Sequence, residues 1–185
     1  FTEVRKDIFM QRKIFPETSG FQNAPYANYG KVFNRGVDAS LTFNKAFTRD
    51  TYLSVMANFT YAHNTILEYD EAAGIVGTTR ARTGHGINQN FGLQSLGLYT
   101  EDDFLDPTSG ALKPGIPVPS WGKVLPGDIK YADLTNDGKI NDEDVTAIGG
   151  SSVPEIVYGF GFSFRHKGFD ISALFQGVAL TDFVV

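Results

Sequence analysis

The chain has no cysteine among its 185 residues, so neither a disulfide framework nor a thiolate metal site is available to it. It also lacks any apolar run of 18 residues, which excludes a membrane-spanning helix. The amino end, FTEVRKDIFM, has no apolar core flanked by basic residues and does not start with Met; it is no secretory signal, and the chain reads as an internal piece of a longer protein. Basic clusters are missing too. With 16 Lys and Arg against 21 Asp and Glu, the net charge is −5, which speaks against a nucleic-acid partner and against an anionic membrane surface.

Aromatic residues and glycine are plentiful. There are 16 Phe, 8 Tyr and 20 Gly, a pairing that suits β-structure with many turns and also suits aromatic girdles at a membrane boundary. Val37, Ala39, Leu41 and Phe43 alternate with Asp38, Ser40, Thr42 and Asn44, and a period of two with one apolar face predicts a strand. After a polar turn at residues 47–51, Leu53, Val55, Ala57, Phe59 and Tyr61 take one face and Ser54, Met56, Asn58, Thr60 and Ala62 the other, which predicts a hairpin. Alternation returns near the end. Ile156, Tyr158, Phe160, Phe162 and Phe164 oppose Val157, Gly159, Gly161, Ser163 and Arg165. A tight turn over residues 165–168 leads to Phe169, Ile171, Ala173 and Phe175 opposite Asp170, Ser172, Leu174 and Gln176. A further, less regular strand is expected from Glu3 to Phe15, followed by a loop over Pro16 to Gly30.

Between these segments lies a long stretch, residues 67–153, with no sustained period. So long a connection is awkward in a compact soluble domain. A membrane barrel accommodates it, because external loops are long and periplasmic turns short. If the turns at 48–51 and 166–168 are periplasmic, the long connection is external. Phe43, Phe47 and Tyr52 near one turn, and Phe164 with Phe169 near the other, then fall where an aromatic girdle is expected. A soluble β-sandwich also alternates, and remains the bland reading of the strands by themselves. The expected division is residues 1–66, barrel strands with a short external loop; 67–153, the long external loop; and 154–185, a barrel hairpin.

Within the long loop, DLTNDGKINDED carries the spacing of a calcium-binding turn. Asp133, Thr135 and Asp137 take positions one, three and five, and Gly138 provides the sharp turn. Lys139 would offer its backbone carbonyl at position seven, Asn141 stands at nine and Asp144 at twelve, with Ile140 at the apolar eighth place. Hard oxygen ligands on a flexible acidic loop are what Ca2+ takes, and Ca2+ is the cofactor the spacing suggests. Two departures weaken the match: Thr replaces Asp or Asn at three, and Asp replaces Glu at twelve. The bland reading is a turn rich in Asp and Asn that hydrogen-bonds itself.

No catalytic constellation is visible. Glu101, Asp102, Asp103 and Asp106 form an acidic run, whereas paired catalytic carboxylates must flank a bond and differ in pKa. His63, His85 and His166 are scattered, and Gly159-Phe160-Gly161 precedes no helix that could cradle a phosphate. Trp121 lies among prolines and is expected to pack a loop or meet a partner, with sugar stacking the lesser alternative.

Several segments together resemble one family. TSGF (Thr18 to Phe21), NYGKVFNRGVDASL (Asn28 to Leu41), TGHGINQNFGLQSLGLYTEDDF (Thr83 to Phe104), PGDIKYADLTNDGKINDEDVTAIGG (Pro126 to Gly150) and YGFGFSFRHKGFDISALFQGV (Tyr158 to Val178) are similar, in that order, to SusC-like TonB-dependent outer-membrane transporters. The resemblance implies an all-β fold: a fragment of a large antiparallel transmembrane β-barrel of about 22 strands, matching a late part of that barrel. It further implies uptake of oligosaccharides or peptides through the outer membrane of a Gram-negative bacterium. The implied partners are a SusD-like surface lipoprotein, a TonB complex reached through other parts of the protein, and outer-membrane lipids. Such a fragment transports nothing by itself and is not an enzyme. Rival readings are a soluble calcium-binding adaptor of dockerin type, which would need a second acidic loop and flanking helices, and a carbohydrate-binding β-sandwich.

Overall fold

The computed structural model describes residues 1–12, 18, 20 and 23–182. The end of the first expected strand, Lys13 to Phe15, lies outside the described residues, as do parts of the 16–30 loop and of the TSGF segment.

Five strands form one antiparallel sheet. They are β1 (Thr2–Gln11), β2 (Tyr26–Thr48), β3 (Thr51–Glu68), β12 (Ile156–His166) and β13 (Phe169–Ala179), in the order β1-β2-β3-β12-β13. The sheet is open, with β1 and β13 at its edges. β2 and β3 meet at a turn over Arg49 and Asp50, and β12 and β13 at Lys167 and Gly168. Lys167 and Gly168 have φ of 44° and 88°, the left-handed pair of a type I′ hairpin turn, whose twist matches that of the flanking strands. Both short turns lie at one end of the sheet, and the long 69–155 connection leaves from the other.

Register settles the faces. Val37 pairs with Tyr61, Ala39 with Phe59, Leu41 with Ala57 and Phe43 with Val55. Tyr61, Phe59, Ala57, Val55 and Leu53 in turn pair with Ile156, Tyr158, Phe160, Phe162 and Phe164 of β12. The same row runs on to β13, where Phe160 stacks on Phe175 with ring centroids 4.9 Å apart. One continuous face is therefore aromatic and aliphatic, and it is exposed. Its reverse carries Asp38, Ser40, Asn44, Ser54, Asn58, Thr60 and Ser163, with Thr60 Oγ1 donating to Asp38 Oδ1 at 3.2 Å.

The lengths decide what this face meets. β12 and β13 have 11 residues each. At ~3.3 Å per residue and a tilt near 45°, such a strand rises ~25 Å, the height of the apolar band of an outer-membrane barrel. A soluble monomer does not leave so large an apolar surface bare. The face is a lipid face, and the polar reverse looks into the barrel.

Two expectations need correction, and a third irregularity finds its cause. β2 has 23 residues and starts at Tyr26, so NYGKVFNRG, expected partly as loop, is strand; β2 and β3 rise well beyond the apolar band. The uneven pattern of β1 has a physical cause, a register shift between Arg5 and Ile8 with Asp7 in the left-handed region at φ 56°. A bulge of this kind moves the apolar residues on either side out of phase. Tyr52 does not join the girdle. It pairs with Ala46 and Arg165 on the polar face, and its hydroxyl donates to Asn44 Oδ1 at 3.0 Å.

The long connection is folded rather than irregular. Among the described residues, four short two-stranded ladders hold it, three nested one inside the next and the fourth, β8–β10, interleaved with them, so that residues far apart in sequence close the module at its base. β4 (Gln89–Leu93) pairs with β11 (Val145–Ser151), and β5 (Ser95–Leu98) with β9 (Ile129–Tyr131). β6 (Phe104–Asp106) pairs with β7 (Ala111–Leu112), and β8 (Val118–Pro119) runs parallel to β10 (Lys139–Ile140). Tyr99, Phe104 and Val124 form its small core, with Leu112 and Ile116 against them.

Candidate functional site

The Asp133–Asp144 loop sits on the module, between β9 and β11. Its fold starts from two left-handed residues, Asn136 (φ 57°) and Gly138 (φ 81°), both types that tolerate that region. Asp133 then caps the turn: its Oδ2 accepts the Gly138 N–H at 2.8 Å and its Oδ1 the Asp137 N–H at 3.3 Å. Ile140 follows in β10 and is fully buried, which pins the loop to the module. The chain next makes a short 3-10 turn over Asp142–Asp144, where Asn141 Oδ1 accepts the Glu143 N–H at 2.6 Å.

That turn folds Asp144 back inside. Its carboxylate is fully buried. Oδ1 accepts N–H groups of Leu134 at 2.9 Å and Thr135 at 3.1 Å, and Oδ2 that of Asn141 at 2.9 Å. The Thr135 hydroxyl lies 3.0 Å from Asp144 Oδ1 and 3.3 Å from Asp133 Oδ1, so its one proton joins the two ends of the loop. Burial pushes the Asp144 carboxyl up, but the Asn141 and Thr135 N–H groups and the Thr135 hydroxyl outweigh it, and the net shift is downward. Asp144 is ionised at neutral pH and fully hydrogen-bonded.

Positions one, three and twelve of the expected ligand set thus converge on Thr135. The Asp137 carboxylate instead accepts the Lys139 N–H at 2.8 Å. Among the described residues, no three His, Cys, Asp or Glu side chains cluster closely enough to hold a metal. As folded, the carboxylates point at N–H groups and not at a common centre. The donor types fit Ca2+; their present directions do not.

The acidic run is a structural cap. Asp103 Oδ1 receives Lys130 Nζ at 2.7 Å, and Oδ2 receives the Thr100 N–H at 2.8 Å. Lys130 and that N–H hold its carboxyl down at about 2, and Lys130 ties β9 to the 101–103 turn. Within the acidic run, Asp103 is thus an anchor. Tyr99 beneath it has its phenol pushed up, chiefly by burial. Each histidine has its own local partner: His63 Nδ1 meets Glu155 Oε1 at 2.7 Å where the module rejoins the wall, His85 packs edge-on to Phe91, and His166 Nδ1 meets Thr51 Oγ1 at 2.9 Å. Trp121 packs edge-on against Tyr131 and remains half exposed on the module surface. The Lys130 and Glu155 partnerships had no sequence signal, since each joins residues dozens of positions apart.

No protein-family model matches the chain. Two proteins of Formosa agariphila resemble it: TonB-dependent receptor P26, 27% identical over 172 residues and 88% of the chain, and TonB-dependent receptor P39, 28% identical over 199 residues and 92% of the chain. The chain spans 16% and 19% of those proteins' lengths. In fold it is similar to the RagAB peptide importer, at a TM-score of 0.63 and 22% identity in the closed-closed state and 0.63 and 21% in the open-open state. Both superpositions cover 97% of this chain and 18% of the other. The resemblance read from the motifs therefore stands: in sequence the chain matches TonB-dependent receptors, in fold it matches part of an outer-membrane transporter barrel, and its place is the outer membrane of a Gram-negative bacterium.

Proposed function

We propose that the chain supplies wall and outer-mouth surface to a SusC-like importer of oligosaccharides or peptides, working with a SusD-like surface lipoprotein and driven by a TonB complex through other parts of the protein. The observation that carries this reading is the two-faced sheet, apolar outward and polar inward, crowned by a folded module at one end. The wall excludes lipid from the lumen, and the module offers a rigid rim on which a lipoprotein lid can seat. Deleting the gene should abolish uptake of one nutrient class, and a tagged transporter should co-purify a surface lipoprotein. Unchanged uptake of both peptides and oligosaccharides would overturn the reading.

Calcium in the Asp133–Asp144 loop is a second reading, supported by the ligand spacing and by the closeness of the Thr135 hydroxyl to both Asp133 and Asp144, and it requires the carboxylates to turn toward the ion. Asp137, the Lys139 carbonyl and Asn141 would complete the set. Because Asp144 must exchange buried hydrogen bonds for the ion, affinity is expected at the weak end of the range for extracellular modules, ~10⁻⁴–10⁻³ M. Calorimetry on the intact transporter against Asp133→Asn decides it. The absence of Asp133-dependent heat at millimolar Ca2+ removes the ion from the account.

A further inference from the structure

One hollow in the module is lined by a guanidinium nitrogen that, among the described residues, finds no hydrogen-bond partner. Just past β3 the chain forms an open hollow of about 310 Å³, lined by Tyr69, Asp70, Glu71, Ile75, Arg80 and Arg82 among others. The Arg80 Nε is buried with no hydrogen-bond acceptor. The Arg82 guanidinium lies over the Phe91 ring, 4.7 Å from its centre. Among the described residues, neither guanidinium forms an ion pair.

The two acids of the hollow are already engaged. Asp70 holds Arg12 Nε at 2.7 Å, and Glu71 accepts the Arg82 N–H together with the N–H and hydroxyl of Thr83. A buried guanidinium nitrogen without an acceptor is costly, because the desolvated N–H has lost its water. The Arg80 guanidinium is a planar fork matched to a carboxylate, sulfate or phosphate, and the exposed Arg82 adds a second positive charge to the lining.

The hollow also lies on the right side of the wall. Arg82 reaches a second hollow formed with Ile8, Met10, Val32 and Ile66. Val32 pairs with Ile66 in the same register row that leads through Asn34–Asn64 to Asp38–Thr60, the polar face. Asn64 on that face holds the Ile87 N–H at 2.7 Å, and Ile66 exchanges backbone hydrogen bonds with Gly84 and His85, so the 69–87 segment is fastened at the outer rim of the lumenal side.

We propose that this hollow binds an oxyanion group carried by molecules entering the barrel, and so favours anionic over neutral cargo. The assignment of the cargo rests on the importer reading above; the anion site itself does not. The probe for the site is inorganic phosphate, titrated calorimetrically into the intact transporter. Wild type should saturate in the millimolar range, Arg80→Gln should weaken binding at least about tenfold, and Arg80→Lys should keep part of it. Equal binding by wild type and Arg80→Gln, or no saturation in wild type, overturns the site. Heat-modifiable gel mobility checks that each variant has closed its barrel. For the cargo, uptake of a mixed pool should lose its anionic members in Arg80→Gln while neutral members enter as before. Equal loss of both, or of neither, overturns the preference. A wild type that takes up nothing sinks the importer reading and leaves the phosphate result standing by itself.

Discussion

The wall and the module obey opposite burial rules. In the wall, Phe160, Phe169, Ile171 and Phe175 face outward, and the inward face is mainly polar, with Met56, Val157, Leu174 and Val178 among its apolar side chains. In the module, Tyr99, Phe104, Val124 and Ile140 are buried, and the charged residues lie outside or are capped. Lipid accounts for the difference: with hydrocarbon as solvent, an outward Phe costs nothing, while every backbone N–H and C=O must be paired by a neighbouring strand. The module, in water, must make its own small core and close its turns with side chains. Asp133, Asp144 and Asp103 do that closing.

The sharpest way to break the contrast is to make the same kind of change in both regions. Ile140→Ala leaves a void in a core with few residues to collapse into it, and should destabilise the module by about 2–5 kcal/mol. Hydrogen exchange by mass spectrometry should show protection lost over residues 118–144 with the wall unchanged. In the wall, Phe160→Arg puts a charge at mid-height on the lipid face and should cost about 2–4 kcal/mol of barrel stability, read from urea titrations of the assembled full-length barrel. Ser163→Arg, on the polar face, should cost far less. If the two arginines are equally harmful, the face assignment is wrong.

Smaller changes sharpen the account of the loop. Asp144→Asn offers one acceptor oxygen where two now serve, so at least one N–H among those of Leu134, Thr135 and Asn141 goes unpaired. The loss should be about 1–3 kcal/mol, seen as faster exchange over residues 133–145 without Ca2+. The smallest effect is that of pH. Asp103 has its carboxyl lowered from 3.8 to about 2, so its stabilising contribution is complete above pH ~4 and is lost as pH falls toward 2. Exchange at residues 99–104 and 128–131 should rise across that window. Lys130→Met removes the main cause of the shift and should move the rise to higher pH.

Much of the wall was legible in the sequence because a period of two survives wherever one face meets a uniform solvent. Leu53 to Tyr61 and Ile156 to Phe164 show it without interruption. It failed at Asp7, where a bulge breaks phase, and at Tyr52, where an aromatic ring lies on the polar face and finds a hydrogen bond. The module was opaque for a different reason. Its strands run from two to seven residues, too short to show a period, and Leu93 meets Val145 across half a hundred residues. The Asp-rich loop lay between these cases: its spacing located the turn and the buried Ile140, while the direction in which Asp144 points depends on the backbone it returns to. Arg80 and Arg82 gave no signal, since their hollow depends on where the 69–87 segment is fastened.

The central claim is the two-sidedness of the wall, and lipid contact tests it most directly. Single cysteines at 54 through 59 of the intact full-length barrel, labelled with bimane and reconstituted with nitroxide lipids, report which side chains touch hydrocarbon. Quenching should be strong at 55, 57 and 59 and weak at 54, 56 and 58. Uniform quenching, or quenching with the opposite parity, would contradict the account.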